Sequence, residues 1–462
     1  MFDKLHQYSN AVALISEESG EVTYNQLINN ADRIGSHVRA RCLAFIVCTN
    51  CVESVYGYVG ILRANAVILL LNENFENKFV ERLLQDYKPD FLYCPALRPS
   101  ETADYRLVDK FWGYVLLKRN RSEHVQIHHD LALLMTTSGT TGSRKVVRLT
   151  KRNLISNAES IVSYLGIQKY DRAITTMPMS YSYGLSIINS HLYSGASIVI
   201  SEKTLLERRF WELWAQYRPT SFSGVPYLYE VLLKMNFEDR FLLGLRYLTQ
   251  AGGRLRPKLA TEIVEICQRN GVKMYFMYGQ TEAAPRMGYL PWESVKKIGS
   301  IGMAIPSGKF WLVDDEGSVI NGAGVIGELV YQGPNVGMGY AESLKDLSKP
   351  DENNGILKTG DLAKRDNDGF YYLVGRKSRF VKLFGNRIDL DHLEELISST
   401  GCECACIESG EDLKIFLTDG SSEPNVRTIL KNLGIHRKVV KIQEIQKIPR
   451  NEFGKISYSQ LV

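Results

Sequence analysis

Two spacings of apolar residues alternate along the first half of the chain. Continuous apolar runs at 43–48, 67–71, 91–94 and 131–135 have the length of strands buried on both faces. Between them, Val55, Tyr58, Val59, Ile61 and Leu62 recur at helical spacing, and 79–87 does the same before Pro89 ends it. A further helical segment begins at 22–27 and runs through Ile28, Ile34 and Val38. Helices and strands in alternation predict a layered α/β unit with a mainly parallel sheet.

Beyond a polar stretch the alternation resumes. Helices at 153–165, 207–217 and 257–269, and one starting near Pro226, are interleaved with apolar runs at 172–177, 197–200, 221–225, 245–249 and 272–277. Polar turns at 178–184, 250–254 and 278–282 each follow the carboxyl end of such a run. Open α/β sheets place their ligands at that edge, so these turns are candidate site loops.

From 299 to 374 short strands are joined by tight turns, such as Asp314-Asp315-Glu316-Gly317 and Asp366-Asn367-Asp368-Gly369, which predicts a small antiparallel β unit. Past the charged stretch 375–379, a helix at 390–398, strands at 402–407 and 413–417, and a helix at 426–433 predict an α+β module. The expected fold is α/β. A large N-terminal domain, 1–374, would hold layered α/β subdomains plus the small β unit, and a small mobile α+β C-terminal domain, 375–462, would follow it.

Composition narrows the class. At 462 residues the chain exceeds what one core usually serves. Its 44% hydrophobic and 23% charged residues are ordinary for a soluble protein, and the longest apolar run, near 66–71, is too short to span a membrane. The first residues lack the apolar core of a secretory signal. Cations exceed anions by 56 − 51 = 5, but they are dispersed, so no nucleic-acid partner is expected. Eight cysteines without His-bearing ligand spacing argue against a disulfide framework or a zinc site and point to a cytoplasmic setting. Cys402, Cys404 and Cys406 alternate along one strand face as small core residues. His124, His128 and His129 fall in a polar segment that reads as solvated linker.

The densest chemistry lies at 136–150, TTSGTTGSRKVVRLT. The apolar run before it and Val146, Val147 and Leu149 after it predict two paired strands, so the polar residues occupy a hairpin tip. Gly139 and Gly142 let backbone N–H groups turn inward, Thr137, Ser138, Thr140 and Thr141 add hydroxyls, and Lys145 adds a charge. The spacing is not that of a Walker loop. Taken alone, the run fits either a phosphate loop or a flexible surface turn.

Four further motifs stand in order after it. They are Tyr278-Gly279-Gln280-Thr281-Glu282, Lys358-Thr359-Gly360-Asp361, Gly375-Arg376 with 382–388, and Pro449-Arg450-Asn451-Glu452-Phe453-Gly454-Lys455-Ile456. In this order the chain resembles the acyl-adenylate-forming superfamily of acyl- and aryl-CoA synthetases, firefly-luciferase-like proteins and adenylation domains of nonribosomal peptide synthetases. Weaker echoes at 23–24, 60–64 and 224–226 extend the resemblance over almost the whole chain.

The resemblance implies roles. Thr137, Ser138, Gly139, Thr140, Thr141, Gly142 and Lys145 would embrace the β- and γ-phosphates of ATP, with Gly252, Gly253, Tyr278 and Gly279 completing the nucleotide site. Thr281 would touch the α-phosphate and Glu282 would hold Mg2+. Asp361 would accept the ribose hydroxyls, and Arg376 would contact ribose or phosphate. Lys455 would bridge the carboxylate and the α-phosphate, brought to the loop by closure about a hinge at Ser378. Tyr181, Tyr183, Gly184, Ser223, Gly224, Gln250, Ala251 and Gln280 would line the pocket of a neutral or hydroxylated acyl or aryl acid. The absence of an acid from 178–186 disfavours an α-amino acid substrate. The acyl acceptor would be CoA or the phosphopantetheine arm of an acyl carrier protein. A non-catalytic relative would have lost Lys455, Glu282 or Asp361, and all three are present. Arg144, Val146 and Ser378 stand where the family usually has Pro, Gly and Asp.

Overall fold

The four apolar runs become the parallel middle of one eight-stranded sheet. Its order is Tyr340–Ala341, Val146–Thr150, Leu131–Thr136, Val67–Asn72, Leu43–Cys48, Phe91–Pro95, Tyr114–Arg119 and Tyr105–Phe111. The four central strands are parallel and the outer pairings antiparallel. This computed structural model describes residues 2–75, 77–96, 104–121, 123, 125–137, 145–235, 237, 241–377, 379–383, 386–409, 412–433, 435–450 and 456–461. Contacts divide the chain into two units, the first Met1–Lys309 with Gln332–Leu357 and the second Phe310–Tyr331 with Lys358–Val462.

In the first unit the helices Tyr24–Gly35 and Val52–Arg63 cross closely enough that a Cβ on Gly60 would lie 2.0 Å from the Ala31 carbonyl oxygen. Two more sheets follow. One has the order Arg172–Ile174, Ser197–Val199, Val12–Ser16, Gly20–Thr23; the other runs Ser221–Gly224, Tyr247–Gln250, Lys273–Gly279, Arg286–Leu290, Met303–Ala304. Among the described residues no helix is long and apolar enough to cross a membrane.

The mixed α/β architecture agrees with the sequence reading, and three local departures have physical causes. Val22 and Thr23 close a strand, and the helix begins at Tyr24, where Thr23 and Gln26 cap each other's backbone. The hairpin Tyr105–Phe111/Tyr114–Arg119 was not expected, because its first strand is largely exposed and polar. The turn expected at 178–184 gives way at Ser182 to the helix Ser182–Ser194, whose residues are buried through Leu192. A helix buried all round shows no amphipathic period.

The second unit carries the five-stranded sheet Val319–Ile320, Lys309–Val313, Ile326–Gln332, Ile356–Arg365, Tyr371–Arg376. A three-stranded sheet of Cys404–Ser409, Asp412–Leu417 and Val440–Glu444 packs with the helices Leu390–Ser398 and Glu423–Asn432. Cys402, Cys404 and Cys406 are buried in that core with Leu393, Ile415 and Val426, as their alternation implies. The contacts therefore group 310–331 and 358–374 with the C-terminal module, whereas the motif-based division stands at 374–375.

Candidate active site

The turns expected at 250–254 and 278–282 leave one sheet edge. Ser221–Gly224, Tyr247–Gln250 and Lys273–Gly279 are parallel neighbours, with Gly224 opposite Gln250 and Gln250 opposite Phe276. The buried Gln250 donates from Nε2 to the carbonyl oxygens of Gly253 (2.8 Å) and Ala251 (3.2 Å), which fixes the turn. Ala251 N–H in turn donates to Gly224 O at 3.3 Å. Gly252 has φ +85°, and a Cβ there would meet the Tyr181 hydroxyl at 2.7 Å. Glycine alone suits both the dihedral and the contact. Burial pushes the Tyr181 phenol up to about 12, against the opposing pull of Arg286, so it is neutral at physiological pH.

Thr281 and Glu282 follow Gly279 on a backbone folded tightly back on itself: a Cβ on Gly279 would lie 1.8 Å from Pro285 O. Thr281 is buried, and its hydroxyl shares a 3.1 Å hydrogen bond with Ser182 at the start of the buried helix. Glu282 accepts from the Tyr340 hydroxyl at 2.6 Å, and its carbonyl accepts from Gly337 N–H at 2.8 Å. Burial, and then the Glu282 charge, push the Tyr340 phenol well up, which keeps it a donor. Two side-chain amides brace the same turn. Asn335 donates to Ala283 O and Arg286 O (2.6 and 2.7 Å), and Asn157 donates to the same pair (3.4 and 3.0 Å).

Tyr340 also ties this turn to the strand after the glycine-hydroxyl loop, since Tyr340 pairs with Val147 and Ala341 with Val146. Val146 is fully buried as the first residue of that strand. The strand is anchored by Arg148, itself fully buried. Its guanidinium donates to the carbonyl oxygens of Tyr340, Lys349, Met338 and Pro350 (3.1, 2.6, 2.7 and 3.1 Å) and pairs with Glu352 at 2.7 Å. Thr137 is partly buried and Lys145 exposed, with its ammonium 3.2 Å from Glu342. Ser138, Gly139, Thr140, Thr141, Gly142, Arg144, Ser378 and Lys455 lie outside the described residues.

The second unit holds Asp361 and Arg376 opposite one another on adjacent antiparallel strands. Asp361 is buried and accepts from Arg376 Nε at 3.1 Å, while the Arg376 side chain is 56% exposed. Gly360, at φ +70°, turns the chain so that its carbonyl accepts from Lys377 N–H (2.7 Å). Next to the expected hinge, Arg379 pairs with Glu394 at 2.8 Å and stacks on the Tyr458 ring at 3.8 Å, and the Tyr458 hydroxyl donates to Glu394 at 2.9 Å.

Of the expected acid-pocket residues, Tyr183 and Ser223 meet on Thr249. Tyr183 OH lies 2.8 Å from the Thr249 hydroxyl, which donates to Ser223 Oγ at 2.8 Å. The missing Cβ of Gly184 accommodates the chain before it, since one would lie 2.3 Å from Pro178 O. Gln280 stays near Tyr278, with its amide 3.5 Å from the Tyr278 hydroxyl. An open hollow of about 580 Å³ beside Arg152, Pro306 and Pro334 contains none of the motif residues. His128, His129 and Asp130 could group their ligand atoms within 4.8 Å, but the last two are exposed and the first partly so, in keeping with a solvated linker.

Residues 1–341 match the family of AMP-binding enzymes. The chain belongs to this family. This AMP-binding enzyme is 27% identical to the 2-succinylbenzoate–CoA ligase of Bacillus subtilis over 475 residues, covering 97% of this chain and 94% of the relative. It is 29% identical to the long-chain-fatty-acid–CoA ligase of Escherichia coli O157:H7 over 406 residues, covering 84% and 69%. Among solved structures, it resembles the o-succinylbenzoate coenzyme A synthetase from Bacillus subtilis in complex with AMP, at a TM-score of 0.81 and 25% identity over 99% of this chain and 97% of that one. The same synthetase in complex with ATP and a magnesium ion gives a TM-score of 0.80 at 25% identity over 99% and 98%. This AMP-binding enzyme is thus a member of the acyl-adenylate-forming superfamily.

The motifs identified Thr281, Glu282, Asp361 and Arg376, but not the groups that hold them. Tyr340, Asn157, Asn335, Arg148 and Arg286 carry no motif. The one local signal is a cation inside a buried strand, seen at Arg148 and Arg286.

Proposed function

We propose that the chain activates a carboxylic acid with ATP, forming an acyl-adenylate and releasing pyrophosphate, and then transfers the acyl group to the thiol of coenzyme A. The observation that carries this reading is the Thr281–Glu282 turn. It offers a hydroxyl held by Ser182 and a carboxylate held by Tyr340, at the ligand edge of a parallel sheet and one strand pairing from the loop that follows Thr136.

The reaction brings two anions together, so oriented donors and cations must sit where charge gathers on phosphorus and on the departing pyrophosphate. In this reading Thr281 donates to the α-phosphate and 137–145 hold the β- and γ-phosphates. The Glu282 carboxylate has one oxygen bound by Tyr340 and another to offer, a hard ligand suited to Mg2+. Bound there, the ion supplies charge neutralisation for the polyphosphate. Asp361 accepts from the ribose, Arg376 contacts ribose or phosphate, and Lys455 bridges the reacting carboxylate and the α-phosphate. The segment 375–462, pivoting at Ser378, is the moving part.

Pyrophosphate release across a panel of carboxylic acids tests the first step, and mass spectrometry of the product with CoA, a phosphopantetheinylated carrier or neither tests the second. Acid-dependent pyrophosphate and an acyl-CoA are expected, with adenylation falling about 100-fold or more in Lys455→Ala. Carrier-only transfer would replace CoA as the acceptor. A chain that binds ATP but releases no pyrophosphate with any acid would be a non-catalytic relative.

A further inference from the structure

Arg379 is the first residue past the expected hinge, and its side chain is only 17% exposed. It makes three contacts at once. Nη2 donates to Glu394 Oε1 at 2.8 Å, Nε lies 2.5 Å from the Asp391 carboxylate, and the guanidinium carbon sits 3.8 Å from the centre of the Tyr458 ring. Glu394 closes the set, since Oε2 accepts from the Tyr458 hydroxyl at 2.9 Å and Oε1 also accepts from Cys406 N–H at 2.6 Å. Asp391 and Glu394 lie about one turn apart on the helix Leu390–Ser398. One helix face therefore holds the guanidinium while the ring covers it.

The ring belongs to the stretch that carries Lys455. Tyr458 follows Lys455 by three residues, and Ile456, next to the lysine in sequence, pairs with Arg450 in an antiparallel bridge. Ser457 N–H donates to Pro449 O at 2.8 Å, and Arg450 pairs with Glu403. Ile456 and Tyr458 also pack against the cluster of Ala405, Ile407 and Phe416. Both ends of the segment 450–456 are thus fixed on the three-stranded sheet, and Tyr458 joins them to Arg379. Burying a guanidinium between two carboxylates rarely adds net stability, because desolvation offsets most of the attraction. Such a set does fix geometry, since a planar cation held at its edges and covered on one face has one orientation.

We propose that Arg379 is a positioning residue for Lys455, tying the segment that carries the lysine to the backbone beside the pivot so that the two turn as one body. The proposal rests on the adenylation reading above, in which the segment 375–462 moves about Ser378 and Lys455 bridges the reacting groups. Arg379 itself touches neither substrate. Its effect passes through the Tyr458 ring and Glu394.

The test is pyrophosphate release by variants of the full chain, compared at equal folded fraction. Arg379→Met should lower the adenylation kcat about fivefold, below the roughly 100-fold that a full misplacement of a reacting group can cost. Arg379→Lys keeps the charge but not the planar stack and should retain part of the rate. In a chain already carrying Lys455→Ala, Arg379→Met should cost nothing further, because the group it positions is gone. An equal loss in that background, or no loss in the single variant, overturns the proposal and leaves adenylation standing. Where Arg379→Met does not fold, Tyr458→Leu removes the stack from the other side and enters the same cycle. Should Lys455→Ala adenylate at the wild-type rate, or no acid release pyrophosphate, the adenylation reading fails. The link then stands only if Arg379→Met speeds amide hydrogen exchange at 456–458 about tenfold more than at 413–417, and it falls if the two segments exchange alike.

Discussion

The two units hold their candidate ATP ligands in opposite ways. In the first, Thr281 and Glu282 sit on a turn whose backbone is gripped by Asn157, Asn335 and Gly337, and whose side chains are met by Ser182 and Tyr340. The partners come from three separate stretches of chain, at 157, 182 and 335–340. In the second, Asp361 lies on a strand paired with that of Arg376, and its carboxylate meets the Arg376 guanidinium, which is more than half exposed. Groups that meet charge developing at phosphorus gain most from preorganisation in a water-poor setting. A group that grips a ribose gains less and tolerates a local, solvated support.

The largest test of this contrast is Arg148→Met. It strands four carbonyl oxygens and Glu352 in or beside a dry strand junction, so a loss of about 3–5 kcal/mol in urea unfolding is expected. Glu352→Gln removes the same ion pair from its half-exposed side and should cost below about 1 kcal/mol. Equal costs would show that the ion pair, and not the set of carbonyl bonds, anchors the strand.

Acid sensitivity should also reside in the first unit. Burial lowers His191 to about 4, against an ordinary 6.5. Between those values the unfolded chain binds the extra proton, so stability is full above about 6.5 and falls with falling pH, reaching a loss of about 3 kcal/mol below the folded value. His191→Gln should flatten that part of the pH–stability curve. An unchanged acid limb would place the sensitivity elsewhere.

How much of this was legible follows from the range of each interaction. Apolar runs such as 43–48 and 67–71 announced the central strands because burial on both faces is written in consecutive residues. The helix Ser182–Ser194 was hidden by the same circumstance, since full burial erases a period. Cys402, Cys404 and Cys406 were legible as core because alternation is local. Asn157 and Asn335 were not, because each acts on the carbonyls of Ala283 and Arg286 from a distant part of the chain, and nothing nearby separates a bracing amide from a surface one. Arg148 is a lone cation in a short apolar strand, and nothing local marks it as a fully buried anchor for carbonyls near 338–350. The motifs point to candidate ligands of ATP; the groups that support them depend on tertiary neighbours.

A smaller effect separates rate from affinity. Tyr340→Phe removes one donor from the Glu282 carboxylate, which should lower the adenylation kcat about tenfold, the scale of one hydrogen bond to a charged group. Arg376→Ala removes an exposed contact and should raise the KM for ATP about threefold with kcat nearly unchanged. Both variants acting on kcat alone would erase the proposed difference between the two sites.

The smallest effect concerns the C-terminal module. Tyr458, three residues past Lys455, keeps its ring over Arg379 in Tyr458→Phe and loses only the bond to Glu394, which still accepts from Arg379 (2.8 Å) and from Cys406 N–H (2.6 Å). Burial already pushes the Glu394 carboxyl up, opposed by Arg379, so losing one donor should raise it further while the pair persists. A destabilisation of about 1 kcal/mol is expected, with adenylation reduced less than in Tyr340→Phe. The reverse order, with Tyr458→Phe the slower enzyme at equal folded fraction, would mean that the segment carrying Lys455 is held as strictly as the Thr281–Glu282 turn. In that case preorganisation would extend to the second unit as well.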